Sequence, residues 1–307
     1  MQQQKQYIKQ HIIHKIVVIV CVLLFCFSIK ISLLKADGFV QKKGEGLFIS
    51  TIAFQQFNGI DTTGAYDESK KVMQMQFNEY IEYGLTKRIT IGGKLIMTDS
   101  FLNSKNNWLK KAEHHTFGLD SFSLFTRIRI FQTKHFILSF YQGFQTPSWF
   151  KKDNPASYFG IRKWQYDSKL EIGINLNKKS FFTLSFGYHG NIKHWYDELR
   201  LDLTYGHYFM PKLLMLVKFQ KYIYYVKDET LKNTFIYATD FSFADLFERS
   251  GFAKFTLSFV SPINKKLSLE IGFYTTIKSK FLKTQNLNLD MQGVYFSLWY
   301  FIDKNKH

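Results

Sequence analysis

Beyond residue 44 the chain alternates apolar and polar residues with a period of two. Leu170, Ile172, Ile174 and Leu176 share one face of a segment whose other face carries Lys169, Glu171, Gly173 and Asn175. Leu199, Leu201, Leu203 and Tyr205 alternate in the same way with Glu198, Arg200, Asp202 and Thr204. Phe182, Leu184 and Phe186 repeat the pattern, as do Leu267, Leu269, Ile271 and Phe273. Successive side chains of a strand point to opposite faces, so these are strands with one apolar and one polar side. The alternation predicts twelve of them, at about 45–57, 71–84, 88–102, 116–131, 135–147, 158–176, 180–190, 195–209, 212–226, 250–261, 266–279 and 290–302.

Two kinds of connection alternate between the strands. The short ones are Leu85 to Arg88, Gln132 to His135, Asn177 to Ser180, Met210 to Lys212 and Ser261 to Lys266. The long ones span roughly 58–70, 103–114, 148–157, 190–195, 227–249 and 280–289. All four prolines (Pro147, Pro155, Pro211 and Pro262) fall at strand ends or in connections, where a missing backbone donor does no harm. Strands of a soluble sandwich average ~5–6 residues, and most of these run well past that length. A membrane barrel needs ~9–11 residues per tilted strand, an even strand number, tight turns at one end and longer loops at the other. The pattern therefore predicts an all-β fold, a transmembrane antiparallel up-and-down β-barrel of about 12 strands. Closure pairs every edge and satisfies the backbone within lipid.

Two strands depart from the alternation. In Met73 to Tyr83 it places Glu79 on the lipid face, and a bulge between Phe77 and Tyr80 is expected to turn that carboxylate inward. The last strand is apolar on both faces, with Phe296, Leu298 and Tyr300 expected toward lipid and Trp299 and Phe301 near the periplasmic rim.

The amino-terminal segment follows another rule. Lys5, Lys9 and Lys15 precede the apolar run Ile16 to Ile29, which is too short to span a bilayer, and Ala36 offers a small residue before a cut ahead of Asp37. This reads as a cleaved signal peptide, which divides the chain into a signal at 1–36, a periplasmic segment at 37–44, a barrel at 45–302 and a periplasmic tail at 303–307. Both mature termini are then periplasmic, in a bacterial outer membrane. Both cysteines, Cys21 and Cys26, leave with the signal, so neither a disulfide framework nor a cysteine metal site is available. Five lysines leave as well, and the net charge falls from +17 to +12. The 18% aromatic content is high for a soluble domain and suits the outer face of a barrel.

Several stretches resemble landmark segments of XagA-type outer-membrane proteins of Gram-negative bacteria. They are Glu82-Tyr83-Gly84-Leu85-Thr86-Lys87-Arg88-Ile89-Thr90, Asp197-Glu198-Leu199-Arg200-Leu201-Asp202-Leu203-Thr204-Tyr205-Gly206, Lys254 to Phe259 and Ser297-Leu298-Trp299-Tyr300. The likeness runs from about residue 44 to 302 and implies a signal-bearing outer-membrane barrel. It transfers no catalytic or binding residue. Barrels of this kind end on an aromatic, whereas here Ile302 to His307 follow Phe301 and leave the assembly signal slightly internal.

The polar face carries the candidate chemistry. Glu82, Lys94, Arg127, Arg129, Lys169, Glu171, Glu198, Arg200, Asp202, Lys218, Lys254 and Glu270 are expected to line the lumen. Such a lining either braces the wall as ion pairs or forms a wet path for small solutes. The two corresponding functions are passive passage of small hydrophilic solutes and a non-conducting barrel whose outer loops contact a host, matrix or envelope partner. The connection from Lys227 to Arg249 is locally acidic, with Asp228, Glu229, Asp240, Asp245 and Glu248, and rich in aromatics, so a constriction folded into the mouth is expected there. No nucleophile elbow, nucleotide loop or metal motif is present; Glu113, His114 and His115 are adjacent and so point to opposite faces of a strand. No enzyme, cofactor or metal is therefore expected. The excess lysine is distributed through turns and loops rather than collected in one patch, which argues against nucleic acid. The partners expected are outer-membrane lipids and lipopolysaccharide, the barrel-assembly machinery and small solutes.

Overall fold

A computed structural model of the chain describes residues 40–58, 70–104, 114–149, 164–192, 196–226, 253–277 and 290–302. They form twelve strands: β1 (Gly46–Asn58), β2 (Lys70–Gly84), β3 (Ile89–Ser104), β4 (His114–Gln132), β5 (Phe136–Gln145), β6 (Gln165–Asn175), β7 (Ser180–Asn191), β8 (Tyr196–Met210), β9 (Leu213–Val226), β10 (Ala253–Pro262), β11 (Leu267–Ile277) and β12 (Asp290–Ile302). Each strand pairs antiparallel with its neighbours in sequence, and β1 closes the ring on β12, from Gly46 opposite Ile302 to Asn58 opposite Asp290. This is the all-β, twelve-stranded closed barrel that the alternation calls for. The sixth strand begins at Gln165, and its expected start from 158 lies outside the described residues.

The two faces are inverted relative to a soluble protein. Phe48, Ile52, Phe54, Ile81, Leu170, Phe186, Phe273, Phe296 and Leu298 are exposed on the outer face, whereas Thr90, Thr98, Ser100, Ser139 and Ser258 are fully buried. Polar groups inside and large apolar groups outside suit a barrel whose surroundings are apolar. Inside, rings lie across glycines of the next strand. Tyr274 covers Gly293 and Tyr295 covers Gly272; a Cβ on Gly293 would come within 2.5 Å of the Tyr274 ring. The missing side chain makes room for the ring, and the ring shields backbone that the glycine would leave bare.

The register departs from regularity beside Met97, Phe131 and Met210. It does not depart in β2, which pairs without a shift with both β1 and β3. The bulge expected between Phe77 and Tyr80 is therefore absent, and Glu79 stays on the outer face. There its carboxylate accepts a 2.7 Å hydrogen bond from the Ser50 hydroxyl on β1. A local partner on the neighbouring strand has taken the place of the bulge.

Four of the five short connections share one device. Thr86 Oγ1 accepts from the amides of Arg88 (3.1 Å) and Ile89 (3.0 Å). Thr133 does the same for His135 and Phe136, and Asn264 Oδ1 for Lys266 and Leu267. Asn177 Oδ1 accepts from Lys179 at 2.7 Å. Short polar side chains that bond the backbone two residues on fix such turns.

Candidate functional site

In a closed ring, a side chain that reaches a strand two places away must do so across the inner face. Arg127 on β4 does this in both directions. Its Nη1 lies 2.8 Å from Glu82 Oε2 on β2, and its Nε lies 2.7 Å from Glu171 Oε2 on β6. On the intervening β3 the Phe125 ring covers Gly92, where a Cβ would come within 2.2 Å of it. The guanidinium also stands 5.6 Å from the Phe125 ring and 5.7 Å from the Tyr141 ring, and Phe125 stacks between Tyr80 and Tyr141. Tyr80 donates to Glu82 Oε2 at 2.7 Å. All three charged members are nearly buried, and paired, hydrogen-bonded charge is the form in which burial is tolerated.

Residues 40–45 enter this cluster from the end that holds the short turns. At Gly44 the backbone takes φ 82°, a left-handed turn that glycine makes without strain. The chain then runs inward: Gln41 N donates to Thr90 Oγ1 at 2.9 Å, Gln41 Nε2 donates to Glu82, and Arg129 Nη2 donates to the Val40 carbonyl at 3.0 Å. Val40 itself is buried. The approach requires Gly84, where a Cβ would sit 2.1 Å from the Lys42 carbonyl oxygen.

A second cluster spans β6 to β8. The Asp167 carboxylate meets His189 Nδ1 at 2.6 Å and Arg200 at 3.6 Å, while Arg200 pairs with Glu198 at 2.7 Å and lies over Tyr222. A third centres on Glu270, which accepts from Ser258 (2.6 Å), Tyr295 (2.8 Å) and Trp299 (3.0 Å) and faces Lys218 at 3.7 Å. Asp202 accepts from Gln220 at 3.0 Å. Lys94, Lys169 and Lys254 make no ion pair among the described residues. Lys169 stands over Tyr141, and Lys254 lies 3.8 Å from the Tyr274 ring centre.

Of the twelve residues singled out from the sequence, the structure thus joins Glu82, Arg127 and Glu171, then Glu198 with Arg200, and Lys218 with Glu270. Arg129 and Lys169 border the first cluster through Val40 and Tyr141, and Lys94, Asp202 and Lys254 make no ion pair among the described residues. Asp167 and His189 were missed as partners, although Asp167 shares the parity of Lys169 and Glu171. The ring residues Tyr80, Phe125, Tyr141 and Tyr222 were missed because an aromatic on a barrel strand reads as outer face, whereas the alternation of β11 does put Tyr274 on the polar face. Two histidines find partners, His207 with Ser180 at 2.8 Å and His189 with Asp167. The serine and the acid belong to different histidines, so no triad is assembled from these residues. Asp228, Glu229, Asp240, Asp245 and Glu248 lie outside the described residues.

No protein-family model matches the sequence, and no curated protein matches it. Solved structures do match in shape. The COG4313 outer membrane channel from Pseudomonas putida F1 aligns with a TM-score of 0.59 and 13% identity, over 87% of this chain and 97% of that one. The NanC porin aligns with a TM-score of 0.49 and 8% identity over 82% and 98%. The translocator domain of the autotransporter NalP from Neisseria meningitidis aligns with a TM-score of 0.48 and 10% identity over 87% and 90%. At such identities the likeness to the channel is one of architecture, and the chain has the fold of an outer-membrane β-barrel.

Proposed function

We propose that this chain is an outer-membrane pore for the passive passage of small hydrophilic solutes. One observation carries the reading: the inner wall is polar and charged, from the buried Gln55, Gln74, Glu82, Arg127, Glu171 and Glu270 to Lys169 and Lys254, which stand over inner tyrosine rings. A barrel that served only as a wall would gain from filling that space with packed apolar side chains, because a buried ionic network stabilises less than it costs to desolvate. The twelve charged residues would then line the solute path. The leader-like segment 1–36 and the resemblance to XagA-type proteins support export to the outer membrane, with the short turns and both termini in the periplasm. The architecture shared with the COG4313 channel supports a lumen that conducts.

A second reading has its own support. The Arg127 strut and residues 40–45 occupy one sector of the interior, as a closed scaffold would require. Planar-bilayer recording of the refolded chain separates the two. Discrete, reproducible steps of conductance support the pore, and insertion with no conductance leaves the scaffold.

A further inference from the structure

The topology gathers charge that the linear sequence scatters. The short connections contribute Lys87-Arg88, Lys134-His135, Lys178-Lys179, Lys212 and Lys265-Lys266, and they contain no carboxylate. In the closed up-and-down ring all five stand at one end of the barrel, joined there by Lys43, while Lys42 beside it pairs with Glu45 at 3.9 Å. These side chains are largely exposed. The impression from the sequence that the lysines form no patch is therefore corrected by the fold. Nor does the segregation follow from lysine-rich composition. The connection between β1 and β2 carries Asp61, Asp67 and Glu68, and five acids fall between Lys227 and Arg249, whereas the short turns have none.

Two further observations indicate what meets this collar. A Thr or Asn side chain caps the backbone of each turn that carries a basic pair, so the backbone bearing these charges is fixed at the rim. Immediately behind them the outer face is exposed and apolar, with Tyr83, Leu85, Phe131, Leu176, Phe209, Met210 and Tyr300. A ring of cations on the border of an apolar band sits where lipid headgroups meet acyl chains. Exposed charges act over only ~8–10 Å in physiological salt, so the partner must touch the rim.

We propose that the short-turn end of the barrel is a binding collar for anionic phospholipids, whose phosphate groups the paired basic side chains contact. The collar rests on the reading of the barrel as membrane-embedded and is independent of whether the lumen conducts. Each cation near an anionic surface strengthens association roughly fivefold, so the ring prefers phosphatidylglycerol over phosphatidylcholine strongly.

The test is native mass spectrometry of the refolded chain, offered equal amounts of phosphatidylglycerol and phosphatidylcholine. The expected result is retention of several phosphatidylglycerol molecules and little phosphatidylcholine, with the preference falling as salt rises. Replacing Lys87, Arg88, Lys178, Lys179, Lys265 and Lys266 by Gln, with every Thr and Asn cap intact, should lower the preference at least tenfold. Arg at the five lysine positions, with Arg88 kept, should restore it. Equal uptake of both lipids, or an unchanged preference in the Gln variant, overturns the collar. Equal uptake combined with capture of polyglutamate by the basic residues would assign the ring to an acidic macromolecule and equally overturn the lipid proposal. Conductance measured on the same preparation keeps the two ideas apart: a conducting barrel without the lipid preference sinks the collar alone, and a silent barrel with it sinks the pore alone.

Discussion

Arg127 and Glu82 meet at 2.8 Å although a complete strand, β3, runs between the strands that carry them. The same guanidinium holds Glu171 on its other side, so one cation serves two buried carboxylates. Removing it takes from both acids the cation that they are ion-paired with, and leaves only Lys169 near Glu171. Stranding a buried charge costs ~3–5 kcal/mol, and Arg127→Leu should destabilise the folded barrel by at least the lower figure. Arg127→Lys loses the forked geometry and should fall between. Combining Arg127→Leu with Glu82→Gln and Glu171→Gln removes the stranded charge and should recover most of the loss. Urea unfolding of the barrel in detergent measures all three. A triple variant no better than Arg127→Leu would show that packing, not charge, is what Arg127 supplies.

A second expectation concerns residues 40–45. Gly84 leaves no room for a side chain, since a Cβ would overlap the Lys42 carbonyl. Gly84→Val should displace the segment and break the bonds from Gln41 to Thr90 and from Arg129 to Val40. Hydrogen exchange at the Gln41 amide should then quicken by one to two orders of magnitude, in line with local opening that costs little, while the β6–β8 amides keep their protection. If the lumen conducts, single-channel conductance should rise in the same variant. Unchanged exchange at Gln41 would mean that the segment is held by something other than this contact.

Much of this fold is legible in the sequence because a barrel strand needs one apolar and one polar face, and that demand writes a period of two over ten or more residues. The strand around Glu198 to Tyr205, expected at 195–209, forms at Tyr196–Met210 for this reason, and the strand through Lys169 ends within a residue of its expected end at 176. The inner clusters were less legible. Parity says which residues share a face, but the pairing of Arg127 with both Glu82 and Glu171 depends on the stagger of β2, β4 and β6, which no single strand records. Asp167 and His189 could have been found by extending the parity of Lys169 and by reading across the β6–β7 hairpin. Tyr274 and Tyr295 are inward by the same parity, alternating with the outer Phe273 and Phe296, but that their rings lie across Gly293 and Gly272 of the next strand depends on the register between strands.

The two faces of β6 give a direct comparison. Leu170 is half exposed on the outer face between Phe140 and Phe186, and Lys169, the next residue, points inward over Tyr141. A basic side chain on the lipid face costs ~2–4 kcal/mol near the midplane and little near the rims. Leu170→Arg should therefore slow folding into vesicles and lower stability by that order, whereas Lys169→Leu should leave folding nearly unchanged. The shift in gel mobility between folded and unfolded forms reports both. Equal folding of the two variants would reverse or abolish the assignment of faces.

The last prediction turns on Glu79, the carboxylate that the fold leaves on the outer face. Its Oε1 is bonded to Ser50, but Oε2 is shielded from solvent and has no hydrogen-bond partner among the described residues. Around it lie Phe48, Ile81, Ile91 and Leu95, and although Lys94 also lines this cleft, no ion pair joins it to Glu79 among the described residues. A carboxylate in such a place is costly, though less so than a cation at the same depth. Glu79→Gln keeps the shape and removes the charge, and should stabilise the barrel by ~1 kcal/mol or more. Ser50→Ala should act in the opposite sense by removing the one bond that the carboxylate has, at ~1–3 kcal/mol for a shielded acceptor left unpaired. Combined with Glu79→Leu, which leaves no acceptor, Ser50→Ala should cost almost nothing further. That non-additivity is the informative result, because it isolates the bond from the general effect of altering the outer face. Urea midpoints for the single and double variants give it directly. Additive costs would mean that Ser50 and Glu79 act independently and that the register of β1 on β2, not this hydrogen bond, keeps Glu79 where it is.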